Sequence, residues 1–186
     1  EKKLTDVLTQ LAAADPDDLP VRRKLTQLAL AAGDLPAVDR WSLEALHINV
    51  VDDELHQWRA DGLAAQGKAE AAAEEYARAV ELNPKLTEAY SNLGYVYSQM
   101  GDMQAALSAY SNAVESGPGN YLNHQNLAVV YYQLGRIGDA ARSANRALEL
   151  APDSQKTAIE GFLAQLGQGT EGVAPADVNK TQELLA

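Results

Sequence analysis

The chain contains no cysteine, which excludes disulfides, thiolate zinc sites and cysteine nucleophiles. That absence does not choose between the cytoplasm and a periplasmic or exported location; the expectation leans to the cytoplasm. Aromatic residues are scarce, at 6%, with one Phe, two Trp and eight Tyr. A core built mainly from Ala and Leu therefore points to closely packed helices and away from a β-sandwich. Positive charge is also short: 15 Lys and Arg stand against 26 Asp and Glu, a net charge of −11. This disfavours binding to nucleic acid and to anionic membrane surfaces. No apolar run is long enough to span a bilayer, and no signal-peptide pattern is present. Because the first residue is Glu1, an upstream segment is expected to have been removed. The remaining composition, 46% hydrophobic and 22% charged, lies in the ordinary globular range and argues against disorder.

What is abundant is alanine, 33 of 186 residues, and it is organised by self-similarity. Gly33, Gly67, Gly101 and Gly135 stand 34 residues apart, as do Ala45, Ala79, Ala113 and Ala147, and Pro84, Pro118 and Pro152. Three residue types in one register define a repeat. They divide the chain without insertions into 19–52, 53–86, 87–120 and 121–154, and each unit reads as two helices. In 87–120, Tyr90, Leu93, Gly94 and Tyr97 mark one face of the first helix, and Gly101 closes it with a left-handed cap. Ala106, Tyr110 and Ala113 mark one face of the second helix, which Pro118 stops. Small residues at the eighth position (Thr26, Ala60, Gly94, Ala128) let paired helices approach closely. One hairpin cannot bury both of its faces, so neighbouring units must stack.

These residues resemble the signature of the tetratricopeptide repeat (TPR) family. The unit 87–120 matches it at Tyr90, Leu93, Gly94, Tyr97, Gly101, Ala106, Tyr110, Ala113 and Pro118. The unit 121–154 matches at Leu127, Ala128, Tyr131, Gly135, Ala140, Ala147 and Pro152, and 53–86 at Ala60, Leu63, Gly67, Ala72, Tyr76, Ala79 and Pro84. The unit 19–52 is the most divergent: it keeps Leu25, Gly33 and Ala45 but has Val38, Ser42 and Val50 at signature positions. Arg59 stands where the family has a buried Leu, which puts the packing of that helix in question. The resemblance implies an all-α fold, a right-handed superhelical solenoid of antiparallel helix pairs with four full repeats. Residues 1–18, with Leu4, Leu8, Leu11 and Pro16, read as the second helix of an incomplete N-terminal repeat. Residues 155–167, with Ala158, Phe162, Leu163 and Leu166, read as a capping helix, and 168–186 as a linker and short tail helix (Asp177 to Leu185). The incomplete repeat implies excision from a longer protein, or a preceding domain that supplies the missing helix.

Patterns that carry chemistry are few. Gly167, Gly169 and Gly172 spell G-x-G-x-x-G, but a dinucleotide fingerprint needs a strand before it and a helix after it. Here a helix precedes and a Pro-containing linker follows. His56 and His124 occupy the same slot two repeats apart and His47 has no partner at ligand spacing, so no shared metal is expected. No Ser lies in a G-x-S-x-G elbow, and Glu70, Glu74 and Glu75 read as a solvated helix face. The sequence therefore carries no expected catalytic residue, cofactor site or metal site, and the chain is read as a non-enzyme.

The family resemblance implies that the first helix of each unit lines a concave groove. The slots that face it hold Arg23, Lys24 and Gln27 in the first unit and Gln57, Trp58 and Asp61 in the second. They hold Glu88, Ser91, Asn92, Tyr95, Ser98 and Gln99 in the third, and Leu122, Gln125, Asn126, Val129, Tyr132 and Gln133 in the fourth. Asn92 and Asn126 share the sixth slot. A side-chain amide both donates and accepts, so it can pair with a peptide backbone in either sense. This resembles the asparagine ladder by which some TPR proteins hold extended peptides; the plainer reading is solvated helix polarity. Between Lys85 and Arg136 there is no Lys or Arg, yet seven of the eight Tyr lie there. Tyr95 and Tyr132 fall outside the signature packing positions and beside amides, a composition suited to recognition; the alternative is that they cover seams between repeats. A clamp for a C-terminal carboxylate is disfavoured, since only Arg23 and Lys24 are available for it. The expectation is a scaffold that binds a peptide or protein segment through Trp58, Asn92, Tyr95, Gln99, Asn126, Val129, Tyr132 and Gln133, without nucleic acid, membrane insertion or cofactor. The alternatives are a module that self-associates through its N-terminal half-repeat, and the accessory region of a longer enzyme.

Overall fold

Helix ends are set locally, before any packing is considered. The computed structural model describes residues 2–170 as ten α-helices. They are α1 (Lys2–Ala14), α2 (Leu19–Ala32), α3 (Leu35–Ile48), α4 (Asp53–Ala65), α5 (Ala69–Leu82), α6 (Thr87–Met100), α7 (Met103–Ser116), α8 (Tyr121–Gln133), α9 (Ile137–Leu150) and α10 (Asp153–Thr170). Gly33, Gly67, Gly101 and Gly135 all have positive φ, from 68° to 79°. The Gly33 N–H donates to Leu30 O at 3.0 Å and the next N–H, of Asp34, to Ala29 O at 2.9 Å. The same two bonds recur after α4, α6 and α8, so each of these helices ends in a Schellman motif. A Cβ at any of the four glycines would meet nothing within 4 Å. The left-handed backbone, which costs other residues about 1–2 kcal/mol, is therefore what requires glycine there. At the opposite ends, Asp18, Asp34 and Asp52 accept from the N–H groups of Val21, Ala37 and Leu55 at 3.0–3.2 Å, as N-cap carboxylates do.

The chain forms two compact units, one ending at Asp102 and the other beginning at Met103. In the first, each helix from α1 to α6 packs on the next, and α2 also reaches α4. Short connections make such neighbours antiparallel. In the second, α7 packs on α8, α8 on α9 and α9 on α10. Ala45 and Ala79 in the first unit, and Ala113 and Ala147 in the second, are wholly excluded from solvent. Around the first pair lie Leu25, Val38, Leu55, Ala60 and Tyr76, all at most 2% exposed. In the second unit Ala128, Ala144, Ala147, Ala151 and Ile159 form a cluster flanked by Tyr121, Leu148, Phe162 and Leu163.

Most polar groups inside the first unit are matched; among the described residues, Arg59 Nε and Asp39 Oδ1 are the buried side-chain atoms left without a hydrogen bond. Arg22, 5% exposed, donates to the carbonyls of Ala12, Asp15 and Asp18 at 3.0–3.2 Å and lies 3.3 Å from Glu44. It thereby satisfies the carbonyl of Ala12 near the α1 C-terminus, which has no partner within the helix, and ties it to the start of α2. Arg59 does not disrupt α4. Its guanidinium pairs with Glu75 of α5 and lies 3.5 Å from Asp39 of α3, so an ionic bridge across three helices replaces the expected leucine contact. Glu75 also meets His56 Nδ1 at 2.6 Å. His56 Nε2 lies 2.9 Å from Val50 O, and His124 Nε2 makes the equivalent contact to Pro118 O at 3.0 Å. Each histidine thus ties a first helix to the carbonyl six residues before it.

The last helix departs from the sequence expectation. It runs from Asp153 to Thr170, past the boundary placed at residue 167, so Gly169 lies inside a helix where a linker was expected. Glycine in a helix costs only about 1 kcal/mol relative to alanine, and no proline follows Pro152 before Pro175. The expected tail helix, Asp177 to Leu185, lies outside the described residues.

No side chain fits at Gly62 of α4, which faces Val38 of α3. A Cβ on Gly62 would fall 2.5 Å from Val38 Cγ1, and Val38 is fully buried. Gly62→Ala is expected to destabilise the protein by about 1–3 kcal/mol through overpacking. Gly161→Ala, where a Cβ meets open space on exposed α10, is expected to stabilise it by about 0.5–1 kcal/mol. Urea unfolding followed by circular dichroism reads both, and an unchanged midpoint for Gly62→Ala would contradict the contact.

Candidate functional site

In the first unit the relevant surface is built by α4 and α6. Trp58 and Asp61 are one turn apart on α4, while Glu88, Asn92, Tyr95 and Gln99 follow one another on a single face of α6, spaced as helical neighbours are. Tyr95 is 59% exposed, and Glu88 and Gln99 are exposed. Asn92 is half-buried, and its amide donates to Asp61 Oδ1 at 3.2 Å. The same oxygen accepts from Tyr76 Oη at 2.5 Å. Tyr76 comes from α5 and is 2% exposed, so a core residue reaches through to orient a surface carboxylate. Burial pushes the Asp61 carboxyl above its ordinary range. The bonds from Tyr76 and Asn92 pull it back, and the charge of Glu88 pushes it up again, with a net upward shift. Burial and the Asp61 charge push the Tyr76 phenol well up, so it stays protonated and donates.

Trp58 is half-buried, and its ring is not an open face. The Arg23 guanidinium lies over it, 4.9 Å from the centroid, paired with Asp52 and Glu54. Partial burial works against the Arg23 charge, but Asp52 and then Glu54 outweigh it and raise its pKa. Of the two basic residues expected on this face, Arg23 is therefore held within the chain, and Lys24 is exposed.

In the second unit α8 carries the remaining candidates. Leu122 is 48% exposed, Val129 39% and Tyr132 38%. Gln133 is exposed and Asn126 half-buried. The opposite side of α8 buries Asn123, Leu127, Ala128 and Val130. The helix is thus apolar on both sides, and only one side is covered within the unit. Tyr132 is braced from α10: its ring meets Phe162 edge-on, centroids 5.8 Å apart.

What sequence reasoning missed is the pairings: Asp61 with Tyr76 and Asn92, Arg23 with Trp58, and Phe162 with Tyr132. The signal for two of the links was spacing. Asp61 with Asn92 and Arg23 with Glu54 are both 31 residues apart, one repeat less about one turn. What the two faces offer chemically is recognition, through amides, aromatic rings and a fixed carboxylate. Among the described residues, no group of three or more His, Asp or Glu is placed to hold a metal ion, and no helix is long and apolar enough to cross a membrane.

Two family models match the sequence, one described as TPR repeat over residues 60–101 and one as tetratricopeptide repeat over 85–153. Together they span residues 60–153, just over half of the chain. No curated protein matches it. Among solved structures, MamA matches with a TM-score of 0.76 at 23% identity, over 83% of this chain and 88% of its own. YrrB, described as a TPR protein with an unusual peptide-binding site, matches with a TM-score of 0.75 at 19% identity, over 87% and 85%. The first TPR domain of Spaghetti (RPAP3), solved with the HSP90 peptide SRMEEVD, matches with 0.60 at 18%, over 64% and 94%. At these identities the likeness is one of fold.

The upward shift at Asp61 has a sign that can be measured. Its folded pKa lies above the unfolded value, so the folded state binds the extra proton, and stability falls as pH rises between the two values. Asp61→Asn keeps an acceptor for Tyr76 and removes the charge. At pH 7 its melting temperature is expected to equal or exceed that of the parent, and the difference should vanish below the carboxylate range. A variant less stable at pH 7 than at pH 3, relative to the parent, would contradict this assignment.

Proposed function

The chain belongs to the tetratricopeptide repeat family, and from that premise we propose that it is a non-catalytic scaffold that binds a peptide or protein segment through the exposed slots of its first helices. Proteins of this family typically mediate protein–protein interactions and are generally non-catalytic. The observation that carries the reading is Tyr95: a large aromatic side chain, 59% exposed, held on a rigid helix beside the amides of Asn92 and Gln99. Exposed aromatic residues next to adaptable hydrogen-bonding groups are what binding hot spots are made of. Val129 and Tyr132, with Asn126 and Gln133, give the second unit a comparable face. Trp58 enters the reading as a wall stacked with Arg23, not as an open contact. The YrrB description and the RPAP3 complex concern those proteins; they support the class of ligand.

An arrayed decapeptide library probed with the full chain tests the proposal. Tyr95→Ala and Asn126→Ala are each expected to weaken selected peptides by about tenfold while leaving the melting temperature unchanged. Binding that neither variant alters, with both folded, would refute the use of these slots.

One observation favours a second reading, self-association. On α1, Leu4, Val7 and Leu11 are 46%, 53% and 48% exposed along one face, with Lys2 and Lys3 at its start and Asp15 and Asp17 beyond its end. An antiparallel α1 from a second copy would bury the stripe and oppose unlike charges. Sedimentation across a concentration series is expected to show a dimer that Val7→Glu dissociates; a concentration-independent monomer ends this reading.

A further inference from the structure

The face formed by α4 and α6 is organised around the recognition of a cation. One guanidinium is already seated there: Arg23 lies over Trp58, between Asp52 and Glu54. One turn further along α4 the same kinds of group recur without a cation. Asp61 has Oδ1 fixed by Tyr76 and Asn92, while Oδ2 takes no hydrogen bond from any described residue. Glu88 is near enough to act on the Asp61 charge, and it shares its face of α6 with Asn92 and the exposed ring of Tyr95. The arginines of the neighbouring helices are engaged, Arg23 as above and Arg59 with Glu75 and Asp39. No Lys or Arg occurs on α6 at all.

We propose that this face takes a segment carrying an arginine or lysine side chain, whose cation sits on Asp61 Oδ2 and Glu88 with its stem along Tyr95. The proposal rests on the groove reading above and names the chemistry of its ligand. Three physical arguments converge on a basic side chain. The charges are complementary, since both carboxylates lack a cation and the chain as a whole carries −11. The acceptor is pre-oriented, because Tyr76 and Asn92 hold Asp61 before any ligand arrives, and little ordering cost remains. An aromatic ring beside the carboxylates adds the cation–π attraction that Arg23 and Trp58 already display one turn away. The overall negative charge also speeds encounter with a basic segment.

The test is the decapeptide array with the full chain at low and high salt, together with the variants Asp61→Asn, Glu88→Gln, Tyr95→Ala and Asn92→Ala, each checked for its melting temperature. The expected result is enrichment of Arg or Lys among bound peptides, with binding that falls with salt. Asp61→Asn and Glu88→Gln should each weaken those peptides by about tenfold without loss of stability. Peptides that depend on Tyr95 but show no preference for a basic residue, and are indifferent to Asp61→Asn, overturn the cation proposal and leave the groove reading standing. Absence of binding, or binding indifferent to both Tyr95→Ala and Asn92→Ala, overturns the two together.

Discussion

The fold depends on helices that meet at the width of a methyl group. In each unit the alanines of the 34-residue register are fully excluded from solvent, and at Gly62 even a methyl would collide with Val38. Close packing of this kind leaves little room for charged side chains between helices, and Arg22 and Arg59, which do enter, are held there by carbonyls and carboxylates. Of the aromatic residues only Tyr95 and Tyr132 are left exposed, both on first-helix slots. Among the buried ones, Trp41, Tyr76 and Tyr110, Tyr76 is the informative case, because a buried phenol must find an acceptor. It finds one in Asp61 on the neighbouring helix, so a packing requirement fixes the position and orientation of a carboxylate at the surface.

That acceptor need not have been charged. A neutral amide or hydroxyl would satisfy the Tyr76 proton equally well, whereas a partly buried carboxylate beside Glu88 is held in its charged form against desolvation and like-charge repulsion. Side chains retained at a cost to stability concentrate where a protein does its work. The structural role of Asp61 accounts for an acceptor at this position but not for its charge. On the cation proposal above, the charge has its use in a partner of opposite sign; Arg23 is a guanidinium already seated on this face.

The repeat and most of the helix ends were legible in the sequence, because each follows from a local rule repeated at a fixed period. Glycine at a left-handed cap, alanine at the tightest contact and aspartate before a helix act within a turn of themselves. What the period hid were the links between successive helices. Asn92 reads as a free rung by comparison with Asn126, yet its amide is bonded to Asp61, 31 residues before it. Arg23 reads as a free cation, yet it is held by Asp52 and Glu54, 29 and 31 residues on. A 34-residue period aligns equivalent residues, and these polar links instead join positions that are not equivalent. Gly62 is hidden for a related reason: its period mates, Leu28, Val96 and Val130, are large, and nothing in a repeat argument marks its contact with Val38. Arg59, read against the family as a misplaced leucine, works because Glu75 and Asp39 stand on the two flanking helices, and no local pattern joins those three.

The two units solve the same problem with different chemistry. A residue that recognises a partner must be exposed, but an exposed side chain that wanders loses much of its binding energy to ordering. In the first unit rigidity comes through hydrogen bonds, as Tyr76 and Asn92 hold Asp61 from behind. In the second it comes through ring packing, as Phe162 on α10 braces Tyr132 beside exposed Val129 and Leu122. The first face is therefore polar and anionic, the second apolar, and each is held by a residue outside the repeat signature's list of surface slots. Specificity in such an array follows from those supporting residues as much as from the exposed ones. On the groove reading proposed above, a change at Phe162 or Tyr76, neither of which presents its side chain to a partner, is expected to alter recognition by releasing the group that does.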